Sequence, residues 1–111
     1  MSQSQPWTFE EFWQFYVREH RRPATRWLHF LGTTAALGLL AVCVVMGWWM
    51  LLLAVPVVGY AMAWTSHFLI ERNKPATFRY PLRSFICDFK MWSLMISGRM
   101  DAEVNRVLGG K

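Results

Sequence analysis

The sequence has 111 residues, a formal net charge of +5, 54% hydrophobic residues and 17% charged residues, a charged share well below the roughly 25% of soluble domains. From Trp27 to Ile70 there are 44 consecutive residues without Lys, Arg, Asp or Glu. The alternative is a buried soluble helix pair, but a globule this small could hardly cover such a stretch. The stretch has room for two membrane spans of ~20 residues and a tight turn, but not for three. Arg18, Arg21, Arg22 and Arg26 lie before or at its start, and Arg72, Lys74, Arg79 and Arg83 follow it. The basic excess therefore reads as membrane topology and not as a nucleic-acid surface. The two cysteines, Cys43 in a span and Cys87 beyond it, make no disulfide framework.

In chain order, the first predicted element is an amphipathic helix over about 8–21. Thr8 and Glu11 fit a capping box, and Trp7 with Phe12 fits a hydrophobic staple. Phe9, Phe12, Trp13, Tyr16, Val17 and His20 recur at helical spacing on one face, which would lie on the membrane or dock on the hairpin. Pro23 ends it. No cleavable signal precedes it, because the first apolar run begins only near Trp27. The first span is expected over about 27–46. Gly47 breaks the pattern, and Trp48 and Trp49 suit the membrane interface. A second span returns over about 49–70, with Pro56 and Gly59 as tolerated kink points and Asn73, Lys74 and Pro75 as its close.

Pro81 is a natural first helical residue. The helix expected over about 82–97 carries Arg83, Asp88 and Lys90 and is read as interfacial, and after Gly98 a short polar tail adds a turn or two. The fold class is thus all-α: a single domain, 1–111, in which an integral membrane hairpin of two spans is flanked by amphipathic interfacial helices. The eight flanking cations place both termini in the cytoplasm, at the inner (plasma) membrane in a bacterium and the endoplasmic reticulum in a eukaryote.

His29 and His67 are equally far from residue 48, in the turn, so an antiparallel hairpin brings them to the same depth at its cytoplasmic end. Glu71 follows His67 by four residues on the same face, and His20 lies on the apolar face of the first helix. The spacing admits a metal site. It admits equally a hydrogen-bonded His67–Glu71 pair or side chains that face headgroups, because it carries neither HExxH nor clustered CxxC.

These residues also carry a resemblance. Phe15-Tyr16, His20 and Arg26-Trp27-Leu28-His29 form one block, and His67-Phe68-Leu69-Ile70-Glu71 with Pro75-Ala76 forms a second. Together they resemble the small membrane proteins typified by the yeast fatty-acid α-dioxygenase of phytosphingosine metabolism, although that protein has a His pair where this chain reads Glu19-His20. The resemblance implies an iron(II)-dependent dioxygenase that shortens 2-hydroxy fatty acids by one carbon. It implies Fe(2+) held by His20, His29 and His67. Glu71 joins them as a catalytic residue, either a fourth ligand or the partner that orients His67. Three protein ligands on octahedral iron leave positions for a chelating 2-hydroxy acid and for dioxygen, and Arg26 is a candidate partner for the substrate carboxylate. The partners implied are a lipid or fatty-acid substrate and dioxygen, with no nucleic acid. The rival reading is a non-catalytic membrane protein whose His/Glu cluster is structural or binds headgroups.

Overall fold

Five helices and no strand make up the residues described by the computed structural model, 8–75 and 78–109. Trp7 of the expected staple and Ala76 of the second block lie outside them. Helix α1 (Phe9–Arg18) starts on the capping box: the Glu11 N–H donates to Thr8 Oγ1 at 3.1 Å, and the Thr8 N–H donates to Glu11 Oε1 at 2.9 Å. It ends before the expected limit, and Pro23 acts as the first residue of the next helix and not merely as a stop. Helix α2 (Pro23–Met46) therefore begins four residues ahead of Trp27, since the fixed φ of proline suits a first helical position. It ends at Gly47, which takes the left-handed conformation (φ 71°) that a residue with a Cβ adopts reluctantly.

Helix α3 (Trp49–Glu71) changes character along its length. It opens as a 3-10 turn over Trp49–Leu53, continues as an α-helix over Ala54–Ser66, and closes as a π-turn over His67–Glu71. Pro56 stands in the first turn of the α-helical part, where its missing N–H removes no α-helical bond. Helix α4 (Pro81–Ile96) again begins on proline, and Gly98 (φ 73°) turns the chain into α5 (Met100–Val104), which runs on as a π-turn over Asn105–Gly109.

Helices α2 and α3 are long and apolar enough to cross a membrane: 24 and 23 residues, with mean hydropathies of 2.0 and 1.5. At 1.5 Å per residue each exceeds the ~30 Å hydrocarbon core. Their most apolar windows are only 17% and 11% buried, whereas the core helix of a soluble protein is mostly covered. The two pack closely as an antiparallel hairpin. A Cβ added at Gly32 would lie 2.8 Å from the Gly59 carbonyl oxygen, an approach that only glycine allows.

The main buried cluster lies outside the hairpin, where α1, α4 and α5 meet: Phe12, Trp13, Tyr16, Val17, Cys87, Met91 and Met100. Trp13 Nε1 donates to Glu103 Oε1 at 2.7 Å, and Arg106 bridges Glu103 and Glu10, which ties α5 to α1. Helix α4 packs along α2, where Trp92 Nε1 donates to Thr34 Oγ1 at 3.0 Å. Both cysteines are free thiols.

Candidate metal centre

Three histidines from three separate segments meet in the interior. His20 follows the end of α1, with its N–H on the Val17 carbonyl. His29 lies in the second turn of α2, and His67 is the first residue of the π-turn that ends α3, a wider turn often found at functional positions. All three are buried, exposed by 1%, 6% and 1%. Their Nε2 atoms form a triangle of 3.1 Å (His20–His29), 3.3 Å (His29–His67) and 3.0 Å (His67–His20).

The outward nitrogens determine what this triangle is. His20 Nδ1 lies 2.6 Å from the Tyr16 carbonyl oxygen, which only accepts, so that nitrogen carries the proton. His67 Nδ1 lies 2.7 Å from Asn73 Oδ1, and Asn73 Nδ2 donates to the Glu19 carbonyl, which fixes the amide with its oxygen toward the ring. His29 Nδ1 faces Asp88 Oδ1 at 3.8 Å, beyond hydrogen-bond reach but an ion-pair distance. With their protons outward, His20 and His67 turn unprotonated Nε2 lone pairs inward, toward each other and toward His29 Nε2. Burial, and then the neighbouring His29 and His67, push the His20 imidazole well below its ordinary pKa, so the ring stays neutral.

The His20 and His67 lone pairs, with His29 Nε2 beside them, are spaced to share one cation. Two imidazole nitrogens about 2.1 Å from one ion and at right angles to each other stand about 3.0 Å apart. The donor set thus fits a single ion bound by neutral imidazoles on one face, with His20 and His67 each held through the other nitrogen. The three ligand atoms form a group within 4.8 Å of one another that is able to hold a metal.

Local structure explains the convergence. The π-turn and the left-handed Arg72 (φ 63°) that caps it swing Asn73 back beside His67, with the Asn73 N–H on the His67 carbonyl at 2.9 Å. Arg26 is buried, and its Nη1 donates to the carbonyls of His20 and Arg21 at 2.8 Å each, which fastens the α1–α2 turn that carries His20. Glu71 Oε2 accepts the Arg22 N–H at 2.7 Å, at the start of α2, where a helix leaves its first N–H groups without partners. Glu71 and Arg26 thus brace the loop around the triangle, while the rings themselves are contacted by Tyr16, Asn73 and Asp88.

Sequence reasoning did not single out those three. The signal for Asp88 was present: with Ser84, Cys87 and Met91 it falls at the spacing of one buried helix face, where a carboxylate needs a reason. Asp88 also accepts from the Tyr16 hydroxyl. Burial raises the Asp88 carboxyl to about 7, partly offset by that bond, and burial together with Asp88 raises the Tyr16 hydroxyl well above its ordinary value.

From His29 and Asp88 an apolar groove of about 300 Å³ runs between α2 and α3, past Thr33, Ala36 and Gly59 to Leu40 and Val55, with Phe85 and Phe89 of α4 on its flank. Its size is at the lower end for small-molecule sites.

The comparison with protein-family models matches residues 7–100 to the family described as 2-hydroxy-palmitic acid dioxygenase Mpo1-like. Neither curated proteins nor solved structures gave a match. The match covers most of the chain, including all three histidines, and the chain belongs to the Mpo1-like family of 2-hydroxy-palmitic acid dioxygenases.

Proposed function

We propose that this chain is a membrane-embedded, iron(II)-dependent dioxygenase that shortens long-chain 2-hydroxy fatty acids by one carbon. The observation that carries the reading is the triangle of inward Nε2 atoms, 3.0–3.3 Å apart, each on a ring tied or faced through its other nitrogen. His20, His29 and His67 would hold the iron, and iron bound there would supply dioxygen activation and a Lewis-acidic anchor for the substrate oxygens. The chain's own residues do the rest. Tyr16, Asn73 and Asp88 orient the rings, and Arg26 and Glu71 keep the His20 loop and the end of α3 in register. Helices α1 and α4 shield the site from water.

The groove supports the substrate class. It starts at His29 and reaches Leu40, eleven residues along α2, a length of ~16 Å at 1.5 Å per residue. An alkyl chain lying there would have its polar end at the histidines. The family name points to the same substrate. Membrane embedding is supported by the exposed apolar surface of α2 and α3, Val45, Met50 and Leu53 among it, which water would not tolerate at this extent. The cations flanking the hairpin support a topology with both termini in the cytoplasm.

The test is metal analysis of protein purified and loaded with iron(II) without oxygen, followed by turnover of 2-hydroxyhexadecanoic acid. Near-stoichiometric iron and a product one carbon shorter are expected. Negligible iron in folded protein would remove the enzyme reading in favour of a structural role for the cluster.

A further inference from the structure

Three buried side-chain polar atoms among the described residues lack a hydrogen-bond partner: Thr25 Oγ1, Trp64 Nε1 and Ser84 Oγ. Orphans of this kind are rare in folded proteins and call for an explanation. Thr25 stands in the first turn of α2 and does not border the metal centre. Trp64 and Ser84 come from different helices and line one small void together with His20, His29, His67 and Asp88. Each stands one helical turn from a residue of the centre, Trp64 before His67 on α3 and Ser84 before Asp88 on α4.

The void measures about 10 Å³, near the lower limit for one water-sized guest. It shares His29, Tyr60, Ala63 and Asp88 with the end of the apolar groove, so the two form one path from apolar to polar. An indole N–H only donates, and a serine hydroxyl donates or accepts. The matching ligand oxygen must therefore accept. Carboxylate oxygens do, and an alcohol oxygen accepts while its proton is free to donate to Asp88 or Ser84.

We infer that Trp64 and Ser84 are headgroup-binding residues of this site: a void of this size admits one oxygen, and their hydrogen bonds to the 2-hydroxyl oxygen seat a long-chain 2-hydroxy acid with its tail in the groove. The inference rests on the dioxygenase reading and adds the groups that select the head. Both side chains are neutral donors, so they orient the acid without adding charge beside the bound metal. Neither has a hydrogen-bond partner within the protein, and for that reason the cavity favours a ligand that satisfies both.

The test uses the full chain in lipid nanodiscs, with 2-hydroxyhexadecanoic acid and hexadecanoic acid as probes and binding followed by displacement of a fluorescent fatty acid. Trp64→Phe keeps an aromatic side chain but removes the N–H with the pyrrole ring that carries it, and Ser84→Ala removes the hydroxyl. Each is expected to weaken 2-hydroxyhexadecanoic acid roughly ten-fold, the scale of one lost hydrogen bond, and to narrow its preference over hexadecanoic acid. Bound iron should not change. In the absence of ligand Ser84→Ala should unfold close to the wild-type temperature, which separates lost binding from lost folding, and Ser84→Thr should recover wild-type affinity. If Trp64→Phe does not fold, Ser84→Ala decides alone. Variants that bind the hydroxy acid as tightly as wild type would overturn this inference and leave the dioxygenase reading standing. A wild-type protein that does not bind 2-hydroxyhexadecanoic acid would overturn both.

Discussion

Replacing His67 with alanine is the most direct test of the metal centre. The three Nε2 atoms stand 3.0–3.3 Å apart, so each ring can contribute one lone pair to a shared ion. Structural zinc sites bind their metal with roughly 10–16 kcal/mol over four ligands, or ~3 kcal/mol per ligand. Loss of one such ligand lowers affinity by a factor of about 10². His67→Ala should therefore lose essentially all iron on desalting. Asn73→Ala keeps the ligand but removes the 2.7 Å acceptor on His67 Nδ1, which leaves the ring free to turn. An orienting partner of this kind is worth roughly 10- to 100-fold in metal affinity, so Asn73→Ala should bind iron measurably but weakly. The assay is iron per folded protein after anaerobic loading, at matched yield, titrated against a competing chelator. Equal iron in wild type and His67→Ala would refute the assignment of His67, and with it the three-histidine site.

Three further predictions bear on the groove, the hairpin and the cap. Leu40→Trp places a larger ring at the far end of the groove and should shift turnover toward shorter 2-hydroxy acids, so an unchanged chain-length profile would mean that the chain lies elsewhere. Gly32→Ala sets a Cβ 2.8 Å from the Gly59 carbonyl oxygen. Overpacking against backbone should destabilise by ~1–3 kcal/mol, read as a lower unfolding temperature in detergent, with iron binding weakened as α2 and α3 part. Glu103 is held at about 2, first by Arg106 and then by the Trp13 indole N–H. Its pKa is depressed by folding, so its contribution is complete above the ordinary 4.5 and is lost as pH falls toward 2. Protection against hydrogen exchange over Met100–Gly109, corrected for the intrinsic rate, should fall across that window, and Glu103→Gln should reduce the pH dependence.

Much of the architecture was legible in the chain because it depends on local chemistry. Long uncharged runs, a glycine at the turn, prolines at helix starts and the Thr8–Glu11 box act within a few residues of themselves, and the helices follow. The meeting of His29 and His67 needed one further step, since an antiparallel hairpin pairs residues equally distant from its turn. Where local signals competed, the reading erred at the edges: Pro23 starts α2, and the chain ahead of it leaves the helix at Arg18.

What surrounds the histidines was decided only by tertiary structure. Glu71, one turn beyond His67, had two partners within reach, and the free N–H at the start of α2 holds it. Nothing in the order of residues reports that preference, which arises when two helix ends are brought together. Asn73 reaches His67 because a π-turn and a left-handed Arg72 reverse the chain there. Asp88 faces His29 from 59 positions away because α4 packs along α2. Periodicity reveals which face of a helix is buried, but not which helix covers it. The groove, the orphaned donors of Trp64 and Ser84 and the orientation of each imidazole depend on that choice, because they exist only in the spaces between helices.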